Sequence, residues 1–226
     1  MPPLRFPAAY IMVPIPYRTP MPPQRRVVIL VFDEAEVLDV CGPYEVFSVA
    51  GRRNGLDLFT VSLAAERPGP VILHNGMSVN PQHSLQDCPT PNVLVIPGGY
   101  GSRREMHNST VVDWVRAQAA RAELVLSVCT GALILARAGL LDGIQSTTHF
   151  AALALLREAA PLTEVRDGVR FIDQGRVVSS AGVSAGLDAA LHVVARLVGE
   201  EFAEETARYM EYHWDRNEEG IADEGL

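Results

Sequence analysis

In the segment Leu126-Ser127-Val128-Cys129-Thr130-Gly131-Ala132 an apolar run gives way to small helix-compatible residues with no loop between, and a cysteine stands at the junction. A strand that turns directly into a helix presents the residue at the turn on a tight elbow, as in the G-x-S-x-G elbow of hydrolases, although Ser127 replaces the first glycine here. The side chain at such a tip projects into a cleft, where nearby helix N–H groups and the positive end of the helix dipole favour an anion. A thiol there is expected to have a lowered pKa and to serve as a nucleophile. Pro97-Gly98-Gly99 ends another apolar run and brings side-chain-free backbone toward the same point; an N–H of that turn, with the N–H of Thr130, would form an oxyanion-hole-like pair. Asp39, in Val37-Leu38-Asp39-Val40-Cys41-Gly42-Pro43, and His149, after Thr147-Thr148, are the candidates for moving a proton.

Each piece also has a plainer reading. A single buried cysteine is commonly an inert packing residue, and a Gly-Gly after a strand is commonly only a turn. Asp39 just before a helix suits a cap, and His149 suits a structural role equally well. Cys88 lies in a polar, proline-rich loop, and Cys41 precedes Gly42-Pro43 as a packing residue. Gly182 and Gly186 read as close approach of a helix start to the sheet.

The elements that would position these residues follow from hydropathy. Val27 to Phe32 is continuously apolar, as in a parallel strand buried on both faces. A helix is expected from Pro43 to Arg53, since proline is tolerated in a first turn. Leu58 to Ala64 gives a second strand, and Val71 to Val79, broken by Asn75-Gly76, reads as a hairpin with a type I′ turn. Strands at Val93–Ile96, Leu124–Val128 and Val177–Ser180 alternate with helices over 110–121, 130–138, 184–198 and 201–212. Strands separated by helices of this length imply βαβ crossovers and a parallel sheet with helices on both faces, with no internal repeat. In such sheets ligands collect beyond the carboxyl ends of the strands, which makes the segments after Phe32, Ile96 and Val128 the ones to watch.

A chain of 226 residues with 48% hydrophobic and 20% charged residues reads as a single packed domain. Its formal net charge of −8 offers no attraction to phosphate backbones or anionic lipid, so neither nucleic acid nor membrane is expected as a partner. Three widely spaced cysteines without a CxxC or histidine cluster suggest a reducing, cytoplasmic setting and no structural metal. No run of about 18 apolar residues is present, and the flanks of Ala8–Val13 do not read as a signal peptide. Half of the sixteen prolines fall in residues 1–24, read as a flexible tail before a domain spanning 25–215 and an acidic tail over 216–226. Met21-Pro22-Pro23 repeats Met1-Pro2-Pro3, so Met21 is an alternative start.

Taken in order, Leu38-Asp39-x-x-Gly42-Pro43-x-Glu45-Val46-Phe47, Val95-Ile96-Pro97-Gly98-Gly99, Val128-Cys129-Thr130-Gly131-Ala132, Thr147-Thr148-His149 and Ser180-Ala181-Gly182-Val183-Ser184-Ala185-Gly186-Leu187-Asp188 form a specific set. From Val27 to about Asp215 the chain resembles the DJ-1/PfpI superfamily, in the branch of isonitrile hydratases and the ligand domains of AraC-type regulators. The resemblance implies a flavodoxin-like, doubly wound, mostly parallel sheet, a homodimer, a small-molecule substrate, no cofactor, and a nucleophilic Cys129. It pairs Asp39 and Thr130 with Cys129 as catalytic residues and puts Gly98, Gly99, His149 and Gly182 around the substrate. Deglycase, glyoxalase and protease-like members typically carry glutamate where this chain has Asp39; isonitrile hydratases resemble it in the aspartate and in the threonine after the cysteine. Hydration of R–N≡C to a formamide is the implied reaction, with attack by Cys129, protonation by Asp39, and water positioned by Asp39 and Thr130 resolving the thioimidate. The alternatives are a sensor like the regulator domains and a glyoxalase-like activity. After Tyr212-His213-Trp214-Asp215 only an acidic stretch follows, so no DNA-binding helix-turn-helix pair is expected; His213-Trp214-Asp215, superficially similar to the His-x-Glu dyad of glutamine amidotransferases, ends a helix and is read as structural.

Overall fold

The computed structural model describes residues 23–214 and 220–222. Nearly all of the proline-rich segment, and with it the choice between Met1 and Met21, lies outside the described residues. In chain order the elements are β1 (Arg25–Leu30), α1 (Val37–Val49), β2 (Phe59–Ala65), β3 (Val71–Ile72), β4 (Ser78–Val79), β5 (His83–Ser84), β6 (Val93–Ile96), α2 (Ser102–Glu105), α3 (Ser109–Ala119), β7 (Leu124–Ser127) and α4 (Gly131–Arg137). There follow β8 (Gln145–Ser146), α5 (Leu153–Ala159), β9 (Glu164–Val165), β10 (Phe171–Gln174), β11 (Val177–Ser180), α6 (Ala185–Val198), α7 (Glu200–Tyr209) and β12 (Gly220–Ala222).

Eight strands form one sheet in the order β12-β10-β11-β7-β6-β1-β2-β5. The apolar runs are its centre: Val27–Leu30, Val93–Ile96 and Leu124–Leu126 are buried, because helices cover both faces of a parallel sheet. On one side α1 packs against α6 and α7, and on the other α4 packs against α2, α3 and α5. β1 pairs in parallel with β2 and with β6, β6 with β7, and β7 with β11. The chain therefore leaves β1 toward β2 on one side and returns on the other through β6. The switch point opens between the carboxyl ends of β1 and β6, where a crevice is unavoidable.

Several expectations are corrected. The first helix begins at Val37 rather than Pro43, which lies inside it. The proline N–H that is missing would have reached the Asp39 carbonyl, so the helix forgoes one bond and keeps Val40, Val46 and Phe47 buried. Asp39 is thus in the first turn of α1 and not before it. β10 had no expected counterpart: it joins β11 antiparallel through Gly175-Arg176, with Gly175 at φ 72°. Asn75 and Gly76 both take positive φ, as a type I′ turn needs, but Ile72 pairs with Ser78, so the loop is longer than two residues. In the stretch expected to be an acidic tail, Gly220–Ala222 instead pairs in parallel with β10. No helix among the described residues is long and apolar enough to cross a membrane.

Candidate active site

Three strand exits meet at one point. β7 runs through Val128 into Cys129, which takes φ 54°, a left-handed value that non-glycine residues rarely adopt, before α4 begins. The elbow is held by the Cys129 N–H, which donates to Ser180 O (3.2 Å) and Ala181 O (3.0 Å), and by the Thr148 hydroxyl, which donates to Cys129 O (2.8 Å). Cys129 as a whole is 6% exposed. Contact with the β6 exit is too close for any side chain: a Cβ on Gly98 would sit 2.4 Å from the Thr130 nitrogen and 2.9 Å from the Cys129 Cβ, and one on Gly131 would sit 2.1 Å from Ile96 O.

From the β1 exit, the first turn of α1 carries Asp39 into the same crevice with no exposure at all. Gly98 N–H donates to its Oδ2 at 3.0 Å. Its Oδ1 is buried with no hydrogen-bond partner among the described residues, although the Cys129 thiol and the Val183 N–H lean toward the carboxyl. Burial, opposed by the Gly98 N–H and aided by the nearby Glu36 charge, pushes Asp39 up to about 7. The thiol moves the same way: desolvation first, then the Asp39 charge, push Cys129 up to about 12 despite the Thr130 and Val183 N–H groups beside it. The expectation of a lowered thiol pKa is therefore corrected. α4 has only seven residues, and whatever its dipole offers a thiolate is outweighed by desolvation first and by the Asp39 charge second. Facing each other, the two groups are coupled: the pair gives up its first proton near pH 7 and holds the second well above neutrality.

The expected amide pair is corrected as well. Gly98 N–H is engaged by Asp39, and Gly99 N–H donates to Thr130 Oγ1 (3.0 Å), so neither glycine amide is aimed freely into the crevice. The Thr130 hydroxyl also lies 3.1 Å from Gly99 O and 2.8 Å from the hydroxyl of fully buried Ser102, which itself lies 2.7 Å from Gly99 O. Thr130 and Ser102 thus pin the Gly-Gly loop, while the Thr130 N–H and hydroxyl remain beside the sulfur and lower its pKa. Gly182 stands against His149, and a Cβ there would fall 2.2 Å from the ring. His149 Nδ1 accepts the Ala151 N–H (3.2 Å), which leaves Nε2 to carry the proton of the neutral ring.

Sequence reasoning missed Ser102 and Val183. Ser102 sits in no motif; its only signal was its place three residues after Gly99. Val183 lay inside a quoted motif but gave no hint of its backbone, which has φ 52°. A cavity of about 620 Å³ opens beyond β1 and β2, away from Cys129. In its lining Asn108 bridges Glu66 and Glu105 at 2.9 Å each, and Arg104 pairs with Glu105. Among the described residues no cluster of three His, Cys, Asp or Glu stands where a metal ion could be held.

Comparison with known proteins gives a consistent picture. The DJ-1/PfpI family model matches residues 25–196. The chain is similar to the isonitrile hydratase of Pseudomonas putida, 36% identical over 81% of this chain and 76% of that protein. It is also similar to the HTH-type transcriptional regulator GbdR of Pseudomonas aeruginosa, 30% identical over 90% of this chain but only 56% of the regulator. Among solved structures, a THiJ/PfpI family protein from Pseudomonas syringae superposes with a TM-score of 0.77 at 28% identity, covering 88% of this chain and 79% of that one.

Proposed function

The chain belongs to the DJ-1/PfpI family, and from that premise we propose that it is a cysteine-dependent enzyme that hydrates isonitriles to N-substituted formamides. The observation that carries the reading is the fully buried Asp39, close to neutral in its proton affinity and with one oxygen bare, facing a thiol on a strained elbow. Such a carboxyl can take a proton and return it at neutral pH, which an ordinary aspartate does poorly. The likeness to an isonitrile hydratase supports the choice of electrophile.

In the mechanism, Asp39 carboxylate removes the Cys129 proton as sulfur bonds to the terminal carbon of R–N≡C. The protonated Asp39 then delivers that proton to the same carbon, giving a thioimidate, R–N=CH–S, and restoring the carboxylate. Water adds next: its oxygen bonds to carbon while Asp39 passes one of its protons to nitrogen. The C–S bond breaks as the C=O forms, and the hydroxyl proton returns through Asp39 to sulfur. The balance is R–N≡C plus water to R–NH–CHO. Thr130 and Ser102 hold the Gly-Gly loop that orients Asp39, and His149 Nε2–H is a donor for the substrate nitrogen side.

Purified protein mixed with several alkyl and aryl isonitriles is expected to yield formamides by NMR. Cys129→Ala should abolish the product. Because Asp39 must be ionised to start the cycle, kcat/KM should rise about tenfold per pH unit below about 7 and level off above it. A second reading has its own support in the likeness to GbdR over 90% of this chain: a small-molecule sensor with the same pocket. Absence of turnover with every isonitrile favours that reading, and conversion of methylglyoxal to lactate would instead favour a glyoxalase. Reactive thiol chemistry suits the cytoplasm, and a homodimer is the assembly we assign.

A further inference from the structure

The cavity of about 620 Å³ beyond β1 and β2 has the size of a small-molecule pocket, roughly 300–1,000 Å³, and lies outside strand carboxyl ends, where open α/β sheets collect ligands. Its floor is apolar, built from Val31, Phe32, Ala65, Val71 and Val111, all buried in the fold. Five charged side chains, those of Asp33, Glu66, Arg67, Arg104 and Glu105, stand round that floor. Arg104 and Glu105 pair at 2.8 Å, and Asp33 Oδ1 accepts the Ile72 N–H (2.9 Å). Glu66 and Arg67, consecutive after the end of β2, are placed differently. Asn108 Nδ2 donates to Glu66 Oε2 and to the buried Glu105 Oε2, 2.9 Å each, while Asn108 Oδ1 caps α3 by accepting the Thr110 N–H (3.2 Å). The half-buried Glu66 carboxylate is thereby held in place, with Oε1 unclaimed among the described residues. Arg67 is exposed and makes no hydrogen bond or ion pair among the described residues, not even with Glu66 beside it. Pro68-Gly69-Pro70 follows it, and the prolines stiffen the backbone that carries the guanidinium.

We propose that this cavity is a second ligand site and that it takes a zwitterionic amino acid with a large apolar side chain. Glu66 Oε1 receives the ammonium group, the Arg67 guanidinium receives the carboxylate, and the side chain covers the apolar floor. Two unpaired charges of opposite sign on neighbouring residues match a ligand whose own opposite charges sit on one carbon. A simple amine or a simple acid leaves one of the two unanswered, and glycine or alanine leaves the floor wet. Because Asn108 fixes Glu66 before any ligand arrives, that carboxylate needs no further ordering on binding. The site is separate from the Asp39–Cys129 crevice and rests on no reading of the chemistry there.

The test is binding of L-phenylalanine to the full chain, followed by amide NMR. Saturable shifts are expected at Ala65, Glu66 and Asn108, with a Kd in the millimolar range or tighter. Phenethylamine, which lacks the carboxylate, and 3-phenylpropionate, which lacks the ammonium, should each bind at least about tenfold more weakly, the scale of one lost hydrogen bond to a charged group. Glu66→Gln, which keeps the bond from Asn108, and Arg67→Met should each weaken phenylalanine by a similar factor. Both residues lie outside the core, and unchanged amide spectra away from β2 will show that each variant is folded. Absence of saturable shifts up to the solubility limit of phenylalanine overturns the proposal, as does equal binding of the amine or the acid. Binding that survives both substitutions, or that is lost once Cys129 is alkylated with iodoacetamide, puts the ligand elsewhere and overturns it as well. Isonitrile turnover, present or absent, bears on the hydratase reading alone.

Discussion

Asp39 holds its carboxyl with one amide and no solvent, and the consequence is measurable in two directions at once. Asp39→Asn keeps the shape and an acceptor for Gly98 N–H but cannot carry a proton. Turnover is expected to fall by roughly 10³-fold, the usual scale for losing a general acid–base group. Stability at pH 8 is expected to rise by on the order of 2 kcal/mol, part of the penalty that a shift to about 7 represents. Denaturant unfolding of both proteins checks this, and a variant that unfolds more easily at pH 8 contradicts it. The residue types of this site were legible: a cysteine at a loopless junction, an acid in a short motif, a Gly-Gly at a strand end. What was not legible is direction. Whether the Gly98 amide points into the crevice or at Asp39 depends on how three loops meet in space. The rise in the thiol pKa follows from burial and a charged neighbour contributed from another strand exit, neither of which neighbouring residues report. Ser102 and Val183 escaped for the same reason.

At the level of elements, the strands whose apolar runs are continuous were all foreseen, since two-sided burial leaves an unambiguous pattern. Phe171-Ile172-Asp173-Gln174 was not, because its acid breaks the run. In the fold that acid is the anchor of the β10–β11 hairpin on α6. Burial alone would raise Asp173, yet His192 Nε2 at 2.7 Å, Arg196 at 2.7 and 2.9 Å to its two oxygens and the Gly175 N–H hold it below the usual carboxylate range. A depressed acid stabilises the fold above its unfolded value and loses that contribution as pH falls through its folded one, so the hairpin should loosen below about pH 4. Asp173→Asn, which breaks the Arg196 pair, is expected to cost about 2 kcal/mol locally and to speed hydrogen exchange at Ile172 and Val178 by at least tenfold, with β1 and β6 little changed. Uniform acceleration across the sheet would show that the hairpin is not a separate unit.

The whole molecule adds the terms that no single element carries. A parallel sheet with βαβ crossovers and ligand-collecting strand exits was implied by alternating strands and helices, whereas the strand order and the switch point between β1 and β6 come from the fold itself. Assembly was implied by resemblance alone, and sedimentation at twice the chain mass of 24.6 kDa is the expected outcome. Total stability should also depend on pH through Asp39. The unfolded chain releases that proton near the ordinary 3.8, the folded chain holds it until about 7, and stability therefore declines as pH rises through that interval. The protein is steadiest where its carboxyl is idle. Under the proposed mechanism heat resistance and turnover are consequently opposed at a single atom pair, and a laboratory selection that rewards only survival at high temperature has a one-step exit through Asp39→Asn. Its product would be a hardier protein that keeps the crevice and binds without reacting, so the distance between a catalyst and a receptor on this scaffold can be as short as one oxygen exchanged for nitrogen.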